Sequence, residues 1–105
     1  MPEMTMTVRW PDGAVQEHYS PSLVVRDYLA VGGCYTVSDF VDRSTTALAE
    51  ASERVRAKFG FACTAAAASA ERIVQLASSC APQDTVTVIA MQPEPANRSA
   101  AKEPR

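Results

Sequence analysis

The side chains best suited to chemistry in this sequence are one histidine and three cysteines. A histidine changes its charge near neutral pH, and a cysteine thiolate is both a nucleophile and a metal ligand. The cysteines are Cys34, Cys63 and Cys80, and the histidine is His18. An odd number of widely spaced cysteines is not a disulfide framework, and no Cys-x-x-Cys or His-x-x-x-His pair is present for zinc. We therefore predict free thiols in a reducing compartment and no metal site.

Two of these residues are candidates for a function. We expect His18 on the polar face of a strand, either as a solvated side chain or as a binding or proton-transfer group. Cys34 stands in the segment Gly-Gly-Cys-Tyr, where it is either an inert loop residue or a thiol activated by a nearby helix N-terminus. Cys63 is expected in the core. Phosphate-binding glycine motifs and the Gly-x-Ser-x-Gly motif are absent, so we predict no catalytic residue and no cofactor.

Length and composition indicate one small globular domain. The chain has 105 residues, of which 47% are hydrophobic and 21% are charged. Ten basic and twelve acidic side chains give a net charge of −2, which does not attract nucleic acid or an anionic membrane. No apolar run is long enough to span a membrane, and no signal peptide is recognisable. We expect a cytoplasmic protein with one domain over residues 1–91 and a disordered tail over 92–105.

The alternation of side chains predicts three strands. Apolar and polar residues alternate from Met4 to Trp10, which is typical of a half-buried strand. The tripeptide Pro11-Asp12-Gly13 then favours a hairpin turn and a return strand over 14–19. The last predicted strand covers 84–91.

Capping residues and periodicity predict three helices. The first is a short helix over 21–31 with Ser20 as its N-cap. The second is the longest, because Thr36 and Asp39 have the spacing of a capping box and Gly60 follows the last apolar position. The third helix covers 64–79.

The expected fold is α+β with the order β-β-α-α-α-β, in which helices pack on one face of a three-stranded sheet. The last strand is placed beside the first, where the hairpin leaves an edge free. The face under the helices is expected to bury Met4, Met6, Val8, Trp10, Val86 and Val88. The opposite face is expected to carry Thr5, Thr7, Arg9, Gln16, His18, Thr85 and Thr87, with Ile89 and Met91 at one end.

That second face is the predicted binding surface. Solvated sheet faces usually carry more lysine and glutamate than this one, and a symmetric homodimer is the commonest way to cover such a surface. We therefore expect a homodimer or a partner complex that uses either this face or the free edge of the hairpin, and the binding residues expected on the face are Thr5, Thr7, Arg9, His18 and Thr87. A monomer whose polar face meets water is the alternative.

Four segments together resemble one family of small bacterial proteins. They are Met4–Gly13, Tyr19–Val25, Asp39–Val41 and Ala51–Cys63, and the resemblance extends over about residues 1–91. The family is described as nitrogen-starvation-response proteins, whose genes lie in clusters with a nitrilase, a radical-SAM protein, an acetyltransferase and a flavoprotein. The resemblance implies a process and a set of partners, namely the products of that cluster, and supplies no catalytic residue.

Three functions follow from this resemblance. The first is a non-catalytic accessory or binding protein of the nitrilase-cluster pathway, since 105 residues are too few for a nitrilase. The second is a small enzyme or carrier that acts on a metabolite of the cluster through the polar sheet face or Cys34. The third is a nucleic-acid-binding regulator, suggested by Arg54, Arg56 and Lys58. It is the weakest, because residues two apart lie on different sides of a helix.

Overall fold

The computed structural model describes residues 3–61 and 64–93. In chain order the elements are β1 (Met4–Arg9), β2 (Val15–Ser20), a 3-10 helix (Leu23–Asp27), β3 (Cys34–Thr36), α1 (Val37–Phe59), α2 (Thr64–Ala77) and β4 (Thr85–Gln92). The predicted tail begins at residue 92, and its residues from 94 onward lie outside the described residues. Cys63 also lies outside them.

The strands form one antiparallel sheet in the order β2-β1-β4-β3. The α+β class and the position of the last strand beside the first are therefore confirmed. The predicted count of three strands and three helices is wrong, because Cys34–Thr36 pairs with β4 as a fourth strand and the segment 21–31 contains only a 3-10 helix. A strand of three residues is too short to show a period of two, and the 3-10 helix begins after Ser22 rather than Ser20.

The turn after β1 sets the register of the hairpin. The Trp10 amide donates to the Ala14 carbonyl at 2.8 Å, and the Gly13 amide donates to the Trp10 carbonyl at 2.9 Å. Gly13 has a φ of 89°, which glycine adopts without strain. This turn pairs Met6 directly with His18. Directly opposed residues of antiparallel strands share a face, so His18 lies on the same face as Met6.

The register reverses the predicted faces of β2. Gln16, His18 and Ser20 point to the helix side of the sheet, whereas Val15, Glu17 and Tyr19 point to the other side. The sequence-based placement of Gln16 and His18 on the face opposite the helices is therefore wrong. The hydrophobic pattern of β2 is too mixed to fix its orientation, and the turn geometry decides it instead.

A β-bulge changes the faces within β4. Val8 pairs with Val88 and Thr7 pairs with Ala90, so Ile89 is an extra residue on the β4 side. After the bulge the alternation shifts by one residue. Met91 is consequently opposite Met6 and buried, although strict alternation had placed it on the opposite face.

Helix α1 begins and ends at the predicted residues. The Thr36 hydroxyl accepts a hydrogen bond from the Asp39 amide at 3.1 Å, and Gly60 closes the helix with a φ of 86°. Its buried side chains are Val37, Phe40, Ser44, Ala47, Leu48, Ala51 and Val55. Phe59, the last apolar position before Gly60, is exposed, so the buried side of the helix ends one turn earlier, at Val55.

The two helices and the 3-10 helix cover one face of the sheet. That face buries the predicted residues, namely Met4, Met6, Val8, Trp10, Val86 and Val88. Helices α1 and α2 pack against each other, and Ala66 and Ala70 of α2, which line a groove with Leu48 of α1, have small side chains that let the two helices approach closely. Among the described residues, neither helix has the length and apolarity needed to cross a membrane.

Candidate functional site

The face of the sheet turned away from the helices is the largest candidate site. We call it the open face, and the strand pairing defines its members. They are Thr5, Thr7, Arg9, Val15, Glu17, Tyr19, Cys34, Thr36, Thr85, Thr87, Ala90 and Gln92. Each of these side chains is exposed or half-buried, in contrast to the buried side chains on the other face.

The open face is arranged in rows across the strands. One row contains Val15, Arg9, Thr87 and Cys34, each directly opposite the next. Four of the five predicted binding residues, Thr5, Thr7, Arg9 and Thr87, lie on this face. The fifth, His18, does not, and Cys34 joins the face because β3 pairs with β4.

Charged side chains on the open face are few. By the strand pairing they are Arg9 and Glu17, and the carboxylate of Glu3, just before β1, reaches the same face through its hydrogen bond with Tyr19. Arg9 opposes Val15, and Glu17 lies two residues further along the same strand, so the two charges lie on a diagonal. Within the described part of the chain, neither side chain forms an ion pair or a side-chain hydrogen bond. Among the described residues, the strands of this face therefore present Arg9 as a cation and Glu17 as an anion without an ion-pair partner.

Two exposed apolar side chains accompany the open face. Val15 is 52% exposed at one end of the Arg9 row, and Ile89 is 36% exposed at the bulge. Tyr19 lies further along β2, and its hydroxyl donates to the Glu3 carboxylate at 3.0 Å. Apolar and small hydroxyl side chains are cheaper to remove from water than charges are, which suits this face to contact with another molecule.

His18 lies inside the helix-facing core. Its side chain is 4% exposed and contacts Trp10 edge-on, with ring centroids 6.1 Å apart. Burial, with a smaller contribution from the positive charge of Arg72, lowers the pKa of His18 to about 4. The imidazole is therefore neutral at neutral pH. Its Nε2 atom and the Trp10 Nε1 atom are buried and have no hydrogen-bond partner among the described residues.

A small cavity that no sequence motif indicates lies at the hairpin end of the molecule. Its volume is about 250 Å³, and it is lined by the turn after β1 and the segment between α2 and β4, including Trp10, Asp12, Ser79, Cys80 and Asp84. The two segments are about 70 residues apart in the sequence, so no motif joins them. Only the fold brings these side chains together.

The polar groups of this cavity are already engaged in local structure. Asp12 accepts from the Ala14 amide at 2.9 Å, and Asp84 accepts from the Ala81 amide at 3.3 Å. Burial, followed by the negative charges of both carboxylates, raises the pKa of the Cys80 thiol. Cys80 therefore stays protonated at neutral pH, and a protonated thiol is a poor nucleophile.

Cys34 lies in strand β3 rather than in the loop expected from the sequence. Its side chain is exposed, and its Sγ atom is 3.5 Å from the Thr87 hydroxyl on the neighbouring strand. In residues 3–61 and 64–93, no group of three or more histidine, cysteine, aspartate or glutamate side chains is arranged to hold a metal ion.

The basic residues of α1 are mostly neutralised by neighbours on the same helix. Arg54 pairs with Glu50 at 3.0 Å, and Arg56 pairs with Glu53 at 3.1 Å. Lys58 lies instead beside the exposed ring of Phe59, with its Nζ 5.9 Å from the ring centroid. The predicted basic segment is therefore a set of local pairs rather than a continuous basic surface.

A second exposed surface lies at the end of α1. Phe59 and Phe61 are 53% and 65% exposed, and their rings stack with centroids 6.3 Å apart. We call this pair the aromatic cluster. Aromatic side chains are over-represented at the centres of protein interfaces, so the cluster is a second candidate contact surface.

Comparison with known proteins places this chain in a family. The model of the family described as nitrogen starvation-induced protein NitG matches residues 5–91. The chain therefore belongs to the NitG family of nitrogen starvation-induced proteins. No curated protein and no solved structure matches the chain.

Proposed function

We propose that this member of the nitrogen starvation-induced family is a non-catalytic accessory protein, and that it acts by binding another protein through its open face. The observation that carries the proposal is the composition of that face. Four strands present threonines, Val15 and Ala90 to the outside, with Arg9 and Glu17 as the charged members.

The physical argument concerns the cost of removing this surface from water. A protein interface is depleted of charged side chains at its centre, since an unpaired charge is expensive to desolvate. Threonine hydroxyls are cheaper to desolvate and can form hydrogen bonds with a partner. The exposed side chain of Val15 adds apolar area that gains free energy when a partner covers it.

The state of the chemistry-bearing groups supports a binding role over catalysis. His18 is neutral and buried, and Cys80 is protonated. The second candidate is a small enzyme or carrier that acts on a metabolite of the nitrilase gene cluster. The cavity lined by Asp12 and Asp84 supports it. A nucleic-acid-binding regulator has less support, because Arg54 and Arg56 already pair with glutamates.

The resemblance to the nitrogen-starvation-response family suggests the partner to test first. That resemblance implies a gene cluster that also encodes a nitrilase, so the purified nitrilase and the other products of that cluster are the candidate partners. The measurement is binding of the full chain to each purified product by biolayer interferometry. We expect the wild-type chain to bind at least one product.

A pair of matched variants tests the surface. Thr7→Lys adds a long cation to the middle of the open face, whereas Thr46→Lys adds the same cation to an exposed position on α1. We expect Thr7→Lys to weaken binding by about tenfold or more, and Thr46→Lys to bind like the wild type. Equal binding by both variants would exclude the open face. Turnover of a cluster metabolite by the isolated chain would instead support the enzyme.

A further inference from the structure

We infer that the open face also binds a second copy of this chain, in a symmetric dimer in which Arg9 of each copy pairs with Glu17 of the other. The inference rests on the proposed function, since it assigns a particular occupant to the same face. It follows from the position of the two charges, their lack of partners and the size of the sheet.

The positions of the charges are self-complementary. Arg9 and Glu17 lie on neighbouring strands of one face, on the diagonal one step away from direct pairing. Such a diagonal is about 7–8 Å long between Cα atoms, a distance that long side chains span when they lean toward each other. The structure shows no ion pair between the two among the described residues.

A two-fold axis satisfies both charges at once. The axis lies in the plane between the two faces, parallel to both sheets. It runs at a right angle to the line from Arg9 to Glu17 and passes over the midpoint of that line. Rotation about this axis brings Arg9 against Glu17 of the second copy. The same rotation brings Glu17 against Arg9 of the second copy. Both charges are then paired in a water-poor contact, and no like charges meet. Strands of the two sheets would cross at a steep angle, which is a known way of packing two sheets.

The charges of the open face favour a second copy over a partner whose surface carries charges of only one sign. Within its strands the face carries one positive and one negative side chain, and Glu3, at the end of the face away from Arg9, adds a second carboxylate, so the face has little net attraction for a strongly acidic or strongly basic surface. An identical face offers the same two charges in the opposite order. Val15 and the threonines of both copies would complete the contact.

The size of the sheet sets the strength of the dimer. Four strands spaced about 4.8 Å apart and about 20 Å long give a projected area of roughly 400 Å² for each copy. Specific interfaces usually bury about 800 Å² of accessible surface for each partner, so this contact lies at the small end. We therefore expect a weak, transient dimer that a pathway partner can displace.

Charge reversal tests the pairing directly. The experiment is sedimentation equilibrium of the full chain between about 1 and 500 μM, with the variants Arg9→Glu and Glu17→Arg. We expect the wild type to dimerise and each single variant to dimerise at least tenfold more weakly, because each brings like charges together. An equal mixture of the two variants should form a heterodimer close to wild-type strength, since both of its cross-pairs are attractive.

Further variants separate the pairing from folding and from other modes of assembly. The double variant Arg9→Glu/Glu17→Arg should recover the dimer, and Glu71→Arg, an exposed reversal on α2, should dimerise like the wild type. Thermal unfolding of each variant checks that the fold is intact. A wild-type chain that is monomeric at 500 μM overturns the inference. So does a dimer that both single reversals leave unchanged, which would place the contact elsewhere, such as at the free edge of β2.

The outcome is distinguishable from that of the proposed function. A monomeric wild type that binds a cluster product, and loses this binding in Thr7→Lys, would overturn the dimer and leave the accessory role standing. A dimer with the expected charge dependence but no binding to any product of the gene cluster would support the dimer and overturn the accessory role.

Discussion

The two faces of the sheet are built from alternate residues of the same strands, yet their side chains differ in burial. On the inner face, Met6, Val8 and Val88 are almost completely buried, and even a histidine has been removed from water. On the open face, neighbours such as Thr7 and Arg9 keep contact with solvent. The inner face therefore determines stability, whereas the open face is free to be shaped by what it binds.

The largest expected effect contrasts two adjacent residues of β1. Met6→Ala should lower the free energy of unfolding by about 2–5 kcal/mol, because it leaves a cavity under the helices. Thr7→Ala, on the open face, should change it by less than about 1 kcal/mol. Urea unfolding followed by circular dichroism measures both values. Equal losses at the two positions would mean that the faces are not energetically distinct.

The next prediction concerns His18, the inner-face residue that gains a charge when the pH falls. The pKa of His18 is about 4 in the folded chain and 6.5 when solvated, so the unfolded state binds the proton more tightly. Stability should be fully present above about pH 6.5, decrease as the pH falls toward 4, and lose about 3 kcal/mol from this group in total. Below pH 4 this contribution stays constant.

Unfolding measured at several pH values checks this decrease. His18 is the only histidine, so its ring proton signals in NMR report the folded pKa without ambiguity. His18→Gln is the control and should remove most of the pH dependence between about 6.5 and 5, above the range in which carboxylates titrate. Below that range Glu50 and Glu53, whose pKa values are lowered by hydrogen bonds from Tyr28 and Arg56, add a dependence of their own. A titration midpoint near 6.5 in the folded chain would show that the imidazole is solvated.

The smallest expected change in stability concerns Thr36, an open-face residue that also stabilises the helix layer. Thr36 belongs to the open face by its pairing with Thr85, but its hydroxyl caps α1 in the helix layer. Thr36→Ala should therefore cost about 1 kcal/mol of stability although the residue is exposed, and Thr36→Ser should retain most of it. Thermal unfolding of the two variants makes the comparison. A neutral Thr36→Ala would show that the cap contributes little here.

Features set by local sequence could be predicted. Helix α1 has its own start and stop signals in Thr36 and Gly60, and the hairpin turn has Gly13 at a positive φ. The inner face of β1 followed from strict alternation. These signals act within a few residues of one another, so a single sequence is sufficient to show them.

Features set by pairing between distant segments could not be predicted. Strand β3 exists because Cys34–Thr36 meets β4, about 50 residues later. The orientation of β2 depends on the turn register, and this placed His18 on the wrong face. For the open face, alternation correctly placed Thr5, Thr7 and Arg9 in β1, but Glu17 and Cys34 were not recognised as members.

The bulge in β4 has a consequence for how this chain tolerates changes in length. In a regular strand, losing one residue turns every later side chain to the opposite face. Ile89 is an extra residue relative to β1, so its deletion would leave Val88 on the inner face, Ala90 on the open face and Met91 on the inner face again. A deletion in the middle of Thr85–Val88 has no such compensation. In evolutionary terms, position 89 is a point where β4 could gain or lose a codon without exchanging its two faces.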